Sequence, residues 1–391
     1  MERKGADLVG RIRRGVTAGA LVSCLAVAPT TLHAQDAITL APPSGRVLID
    51  GSSQSIDLIS APALGRDGRI LIAQRFEHYV AVYDGAGRLL WRFGREGDGP
   101  GEFRRIVGAG FAGSVAWVSD ALHQRTTYIR DGRFVESRQG PSQLRRGSTP
   151  ERVNGSPVLA MLPDGSLLLE ARTPGTSPFP ANWTGRDPRG NEVAIVRADS
   201  TGLVTKILAW TRDQNRCQPG GPSLLPVPFC RPPLRAISPS GEWIATISGD
   251  RDPAGGFRLR ITNADGKVTA EHQVESPRQP VSRAAFDALK QSYRSFVNKP
   301  PGFDEAVDRL QRPSYYPAAR RMLVSDDGRV AVELWHEQPW QSYRIFSRDG
   351  VELPTLGLAR NETLEAMASG YLLVVRKDED DVPSLVRYDV P

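Results

Sequence analysis

The sequence predicts an all-β fold in which six small antiparallel sheets close into a ring, and three observations lead there. The first is a turn phrase that runs from a polar residue through Asp-Gly or Ser-Gly into an apolar run. It occurs at Arg66-Asp67-Gly68-Arg69, Pro163-Asp164-Gly165-Ser166, Pro239-Ser240-Gly241-Glu242, Asp326-Asp327-Gly328-Arg329 and Ala368-Ser369-Gly370-Tyr371, with Ala112-Gly113-Ser114 as a weaker sixth copy. Such dipeptides between apolar runs mark tight hairpins. The second is another turn phrase that alternates with the first, ending in Gly87, Gly132, Gly202, Gly266 and Gly350. The third is the mismatch: six turns of one kind against five of the other.

In a blade of four antiparallel strands, one turn joins strands one and two and another joins strands three and four. Six first turns therefore mean six blades, and five second turns leave one blade without its own fourth strand. The chain ends at Val386-Arg387-Tyr388-Asp389 as a third strand would. The missing strand is expected from the amino-terminal side, from 37–40 or 46–49. The result is a six-bladed β-propeller closed by an N-terminal strand, with its sheet edges paired rather than open.

Spacing locates the insertions. The first-turn glycines at 68, 113, 165, 241, 328 and 370 are separated by 45, 52, 76, 87 and 42 residues. Blades repeat at about 40–50 residues, so the third and fourth steps carry extra chain. Tight turns fall on one side of the disc. The long segments 94–103, 171–191, 211–233, 249–256 and 276–317 belong to loops between strands two and three or to crossings between blades, which share the other side. One face is trimmed and the other decorated, and binding sites concentrate on loops held by a rigid scaffold. The last insertion, 276–317 between blades four and five, predicts a small helical flap. Ser282 can cap a helix whose Phe286, Leu289, Tyr293 and Phe296 share one face, and a shorter helix is expected over 304–310.

The run Gly94-Arg95-Glu96-Gly97-Asp98-Gly99-Pro100-Gly101-Glu102-Phe103 follows a strand-like Arg88–Phe93 and returns an aromatic anchor to the core. It resembles the junction between blades of NHL-repeat propellers. Blade five, with Pro317, Asp327-Gly328-Arg329, Phe346 and Asp349-Gly350, is similar. The chain over roughly 40–391 thus resembles exported six-bladed propellers of the NHL/TolB-like class. That class includes lyases, lactonases, sugar dehydrogenases and plain interaction modules. No site motif matches residue by residue, so the resemblance implies a fold and no particular activity.

The first 34 residues read as an export signal. Arg3, Lys4, Arg11, Arg13 and Arg14 precede an apolar stretch from Val16 to Ala28, and Leu32-His33-Ala34 is a cleavage site before Gln35. This predicts a periplasmic or secreted protein whose mature domain is 35–391. Leu21-Val22-Ser23-Cys24 also fits a lipobox, which would leave a lipid anchor on Cys24. The leader holds five basic and two acidic residues, so the formal net charge of +6 falls to about +3 on its removal. That is too small a positive balance for a nucleic-acid footprint, and no Lys/Arg stripe accompanies it. Two cysteines remain, Cys217 and Cys230, in a Pro/Gly-rich stretch. In an exported chain they are expected to form a disulfide.

No Gly-x-Ser-x-Gly elbow, His-Glu-x-x-His, phosphate loop or EF-hand occurs. The decorated face instead collects scattered polar candidates. Blade one offers Arg75, Glu77 and His78. Blade two offers Asp120 and His123, blade four Asp250 and Arg251, blade five His336 and Trp340, and blade six the run Asp378–Asp381. His78 and His123 are read as equivalent positions in consecutive blades. Polar loops of this kind are commonly no more than solvated surface. If loops converge on the central channel, His78, His123, Asp250 or His336 could ligate Ca²⁺ or Zn²⁺, although no metal or other cofactor is required by any motif. Trp183, Trp335, Trp340, Tyr315 and Tyr316 either stack on a ligand or pack the flap and core. Two functions follow as expectations. One is a module binding a small molecule, peptide or protein through the decorated face. The other is a metal-assisted lyase or hydrolase, of NHL-type lyase or lactonase-like chemistry, in the central channel.

Overall fold

Ile70, Leu71 and Ile72 show why the apolar runs become strands. Successive side chains in a strand point to opposite faces. Ile70 and Ile72 enter one buried cluster and Leu71 enters another, and all three are shielded from solvent. A strand buried on both faces reads as continuous apolar sequence rather than as alternation.

The computed structural model describes residues 45–54, 56, 61–147, 152–173, 179–180, 183, 192–212, 225, 228–229, 234–248, 255–335 and 340–390. The leader, Cys24, Cys217, Cys230, Asp250, Arg251 and His336 lie outside these residues. Blade one comprises Ala63–Leu64, Ile70–Gln74, Tyr79–Tyr83 and Leu89–Phe93. Blade two comprises Ile106–Ala112, Val115–Asp120, Arg125–Arg130 and Arg133–Gln139. Blades four (Arg235–Ile237 to Val268–Val274) and five (Ala319–Val324 to Glu352–Ala359) have the same four-strand order. Blade six runs Glu362–Ala368, Tyr371–Lys377, Pro383–Asp389, and its fourth strand is Arg46–Asp50 from the other end of the chain. Val47 pairs with Val386 and Ile49 with Leu385. Of the two expected closing segments, the one nearer blade one supplies the strand.

Six buried apolar clusters fill the spaces between neighbouring blades. The cluster of Leu48, Ile49, Ile72, Tyr83, Leu373 and Leu385 lies between blades six and one. Five others occupy the remaining interfaces in turn. The ring is therefore closed by packing as well as by hydrogen bonds. The first-turn glycines adopt φ from 61° to 84° and the second-turn glycines φ from 73° to 85°, the left-handed conformation these tight turns require.

Blade three departs from expectation. It carries six strands: the additional hairpin Gln143–Arg145 with Arg152–Gly155, and Ala160–Met161, Leu167–Arg172, Glu192–Ala198 and Val204–Arg212. Arg152–Gly155 and Ala160–Met161 both pair with Leu167–Arg172, as one first strand broken between them. Pro157, which has no N–H to give the ladder, sits in the break. This segment was not among the expected insertions.

The flap forms as two helices. Arg283–Arg294 is capped by Ser282, whose Oγ accepts the Ala285 N–H at 3.0 Å. Phe303–Asp308 follows, beginning one residue earlier than expected and ending two residues earlier. The insertion stands on a paired neck, with Tyr316 N–H donating to Gln279 O at 2.9 Å. Phe286, Val281 and Tyr316 form its buried core with Phe229 and Trp335 against it. Phe296, expected on the buried face, is 54% exposed because the helix ends at Arg294 and the chain turns away. No helix among the described residues is long and apolar enough to cross a membrane.

Candidate ligand groove

The glycine-rich junction between blades one and two builds one wall of the site. Gly94, Gly97 and Gly101 have φ of 106°, 151° and 77°. A Cβ at Gly94 would lie 2.5 Å from the Phe103 ring and 2.9 Å from His78 O. The loop folds this tightly because Phe103 is fully buried, edge-on to Phe93 with ring centres 6.3 Å apart.

Polar groups then fasten the loop to blade two. Arg104 grips Asp98 with two hydrogen bonds, Nε to Oδ1 at 3.0 Å and Nη2 to Oδ2 at 3.1 Å, and reaches Glu96 at 2.9 Å. Arg125 donates to three loop carbonyls, those of Asp98 at 3.2 Å, Gly99 at 2.7 Å and Glu102 at 2.7 Å. His123 bridges the two sides, Nε2 at 2.8 Å from Asp98 Oδ1 and Nδ1 at 2.9 Å from Asp120 Oδ2. The Asp120 side chain is fully buried. It also accepts backbone N–H groups of Arg104, Leu122 and His123 at 2.7, 2.9 and 3.2 Å. Arg104 and then His123 hold the Asp98 carboxyl well below the usual carboxylate range. Burial pushes Asp120 up, but the N–H groups of Arg104 and His123 and the His123 ring outweigh it, leaving its carboxyl lowered.

On the other side of Asp120 lies a groove of about 460 Å³ between blades two and three. Its blade-two wall is Ser119 to Ala121 with Gln124 to Thr126. The crossing residues Gly140–Gln143 and the broken strand Asn154–Val158 form the facing wall. Ser119 and Thr126 are cross-strand partners, and Trp117 and Tyr128 are the next pair on the same face. Trp117 packs with Leu144, Val153 and Val158, an apolar base beneath a polar rim. Thr126 is 3% exposed, and its Oγ1 has no hydrogen-bond partner among the described residues.

The sequence candidates are only partly brought together. His78 and His123 both reach the glycine-rich junction, His78 through Nε2 donating to Arg104 O at 3.1 Å. They are not equivalent, however. The four-residue loops 75–78 and 121–124 sit between the pairs Gln74–Tyr79 and Asp120–Arg125. His78 is the fourth loop residue, with φ 59°, and its counterpart is Gln124, with φ 51°. His123 is the third, matching Glu77. Arg75 is exposed in the first of these loops. Trp340 is 44% exposed and begins the third strand of blade five, opposite blade two in the ring. In the acidic run, Asp378 accepts the N–H groups of Asp380 and Val382 and so shapes its own turn. Trp183 is fully buried against Phe179, and Trp335 stacks on Tyr316 at 5.0 Å, so both pack the protein's own interior. Among the described residues no three His, Cys, Asp or Glu side chains are placed to hold a metal ion. Sequence reading missed Arg104, Arg125 and Thr126. The spacing Asp120-x-x-His123-x-Arg125-Thr126 around one loop was the available signal, but the facing wall has no sequence signature.

No protein-family model matches the chain, and no curated protein matches it. Solved structures with a similar fold include a member of the DUF4221 family from Bacteroides vulgatus, at 10% identity, with 85% of this chain and 94% of that one covered and a TM-score of 0.49. A Bacteroides fragilis protein thought to be exported shares 11% identity over 89% of this chain and 95% of that one, at a TM-score of 0.45. A gluconolactonase from Xanthomonas campestris shares 13% identity over 89% and 90%, at 0.37. At these identities and scores no activity and no residue role passes to this chain.

Proposed function

We propose that this chain is an exported propeller of the NHL/TolB-like class that binds a small ligand in the groove between blades two and three. The buried Thr126 hydroxyl carries the reading. A buried hydroxyl left without a partner costs about 1–3 kcal/mol; the Thr126 hydroxyl is shielded from solvent without a partner among the described residues, and Thr126 is one of the residues that line the groove. The loop network supports it, because Arg125, His123 and Asp120 hold the blade-two wall in a fixed shape before any ligand arrives. The catalytic alternative places metal-assisted lysis or hydrolysis on His78, His123, Asp250 or His336. His78 and His123 already direct ring nitrogens at protein acceptors, which favours binding over metal ligation at those two residues.

Fragment screening by crystallography tests the proposal. Hits are expected to cluster between Thr126 and Ser156. Hits confined to the central channel or to the turn face would overturn it.

A further inference from the structure

The fourth strand of a blade begins where its second tight turn ends, so the fourth strands start on the trimmed face. Leu89, Arg133, Val204, Val268 and Glu352 are the first residues of five of them. The closing strand of blade six starts on the same side at Arg46, paired with Arg387 near the end of its neighbour. Large apolar side chains recur at these starts. They are Val47 in blade six, Leu90 in blade one, Phe134 and Val135 in blade two, Val268 in blade four and Val351 just ahead of the strand in blade five, between 41% and 63% exposed. Apolar residues scattered singly over a surface need no explanation. Here they return at one corner of five blades and make a collar round the rim of the trimmed face.

Cations accompany the collar. Arg46, Arg130, Arg133, Lys206 and Lys267 are exposed at the same strand ends, and none has a side-chain partner among the described residues. The acids beside these turns are mostly engaged. Asp84 pairs with Arg88 and Glu352 with Arg344, and Asp199 accepts N–H groups of its own turn. Asp131 is the one carboxylate of the second turns without a partner among the described residues. The decorated face differs, since its exposed Phe76 and Leu122 share it with the acidic run Asp378–Asp381. Chain entry points the same way. The polypeptide preceding Arg46 joins the domain at the trimmed face, and the lipobox residue Cys24 lies 22 positions before Arg46. Interfacial binding combines buried apolar area with attraction of cations to anionic lipid. We propose that the trimmed face docks on an anionic lipid surface, the collar entering the headgroup boundary and the five cations meeting lipid phosphates. The decorated loops then face away from the lipid, whatever the groove binds.

Vesicle flotation tests this with the processed chain from Gln35, which keeps the closing strand and lacks Cys24, so that no lipid of its own contributes. Binding is expected to vesicles of equal parts phosphatidylcholine and phosphatidylglycerol, and little to phosphatidylcholine alone. Arg133→Gln with Lys267→Gln should weaken it about thirtyfold. Leu90→Ser with Val135→Ser should weaken it at least about tenfold. Phe76→Ser with Leu122→Ser, on the decorated face, should leave it unchanged. All six side chains are exposed, and thermal melts confirm that the variants fold. Equal binding to both kinds of vesicle, or binding to neither, would overturn the proposal. Loss in the decorated-face variant with none in the collar variant would overturn it too. A dimer in solution that the collar variant dissociates would make a second copy the occupant, and the lipid assignment falls.

Discussion

Arg321 of blade five holds Glu365 of blade six through two hydrogen bonds, Nη1 to Oε1 at 3.0 Å and Nη2 to Oε2 at 2.6 Å. The same carboxylate accepts the Ala61 N–H at 2.8 Å, from the segment entering blade one. One side chain thus ties three consecutive blades beside the seam where the chain ends meet. Glu365 is buried, so removing it leaves the Arg321 guanidinium without its carboxylate, the Leu364 carbonyl still accepting from Nη1 at 2.9 Å. Glu365→Ala is expected to cost about 3–5 kcal/mol by urea denaturation, while the double replacement Arg321→Met with Glu365→Met recovers most of the loss. A single-variant loss below about 1 kcal/mol would show that the pair is dispensable.

The closing strand makes a second prediction. Ile49 is fully buried in the cluster between blades six and one. Ile49→Ala is expected to lower stability by about 2–5 kcal/mol. Deletion of 46–50 should do more, because it leaves the Pro383–Asp389 edge unpaired and open to another chain. Light scattering then rises on mild heating. A monomeric, unaltered melt after the deletion would mean that the ring closes without this strand.

The junction loop depends on Gly94. A side chain there meets both a left-handed backbone and the Phe103 ring. Gly94→Ala should destabilise by more than about 1 kcal/mol, with increased hydrogen exchange confined first to 94–105. An unchanged exchange pattern is the result that rejects this account.

Acid should loosen the same loop. Asp98 and Asp120 are both lowered from the ordinary value of 3.8. A carboxyl lowered in the folded state contributes stability that is complete above its unfolded value and lost as pH falls through its folded value. Stability is therefore expected to decline below about pH 4. Asp120→Asn should be less stable at neutral pH but less sensitive to acid, measured as urea midpoints across a pH series. A steeper acid dependence in the variant contradicts the assignment.

Export and oxidation are checked together by mass spectrometry of protein recovered outside the cytoplasm. The expected species begins at Gln35 and weighs two hydrogens less before reduction, from a Cys217–Cys230 disulfide. A lipid-modified chain beginning at Cys24 would select the anchored form instead.

The fold was largely legible in the sequence because its evidence is local. Gly68 or Gly132 needs only its neighbours to announce a tight turn, and counting two kinds of turn is enough to require an amino-terminal strand in the last sheet; the structure decides between the two candidate segments in favour of Arg46–Asp50. The helix after Ser282 was equally visible through its cap and spacing. Blade three was not, because the break at Pro157 and the extra hairpin look like any polar, proline-bearing loop until Leu167–Arg172 pairs with both pieces.

The site belongs to the other category. Asp120 and His123 stood out by type, but their roles depend on Asp98 and Arg104, brought to them when the glycine-rich junction folds back. Thr126 was an unremarked strand residue whose importance comes from what faces it across the gap to Asn154 and Ser156. Short-range backbone preferences and apolar periodicity determined the ring. The groove was decided by which side chains the packing of two neighbouring sheets set against each other, and no local preference encodes that.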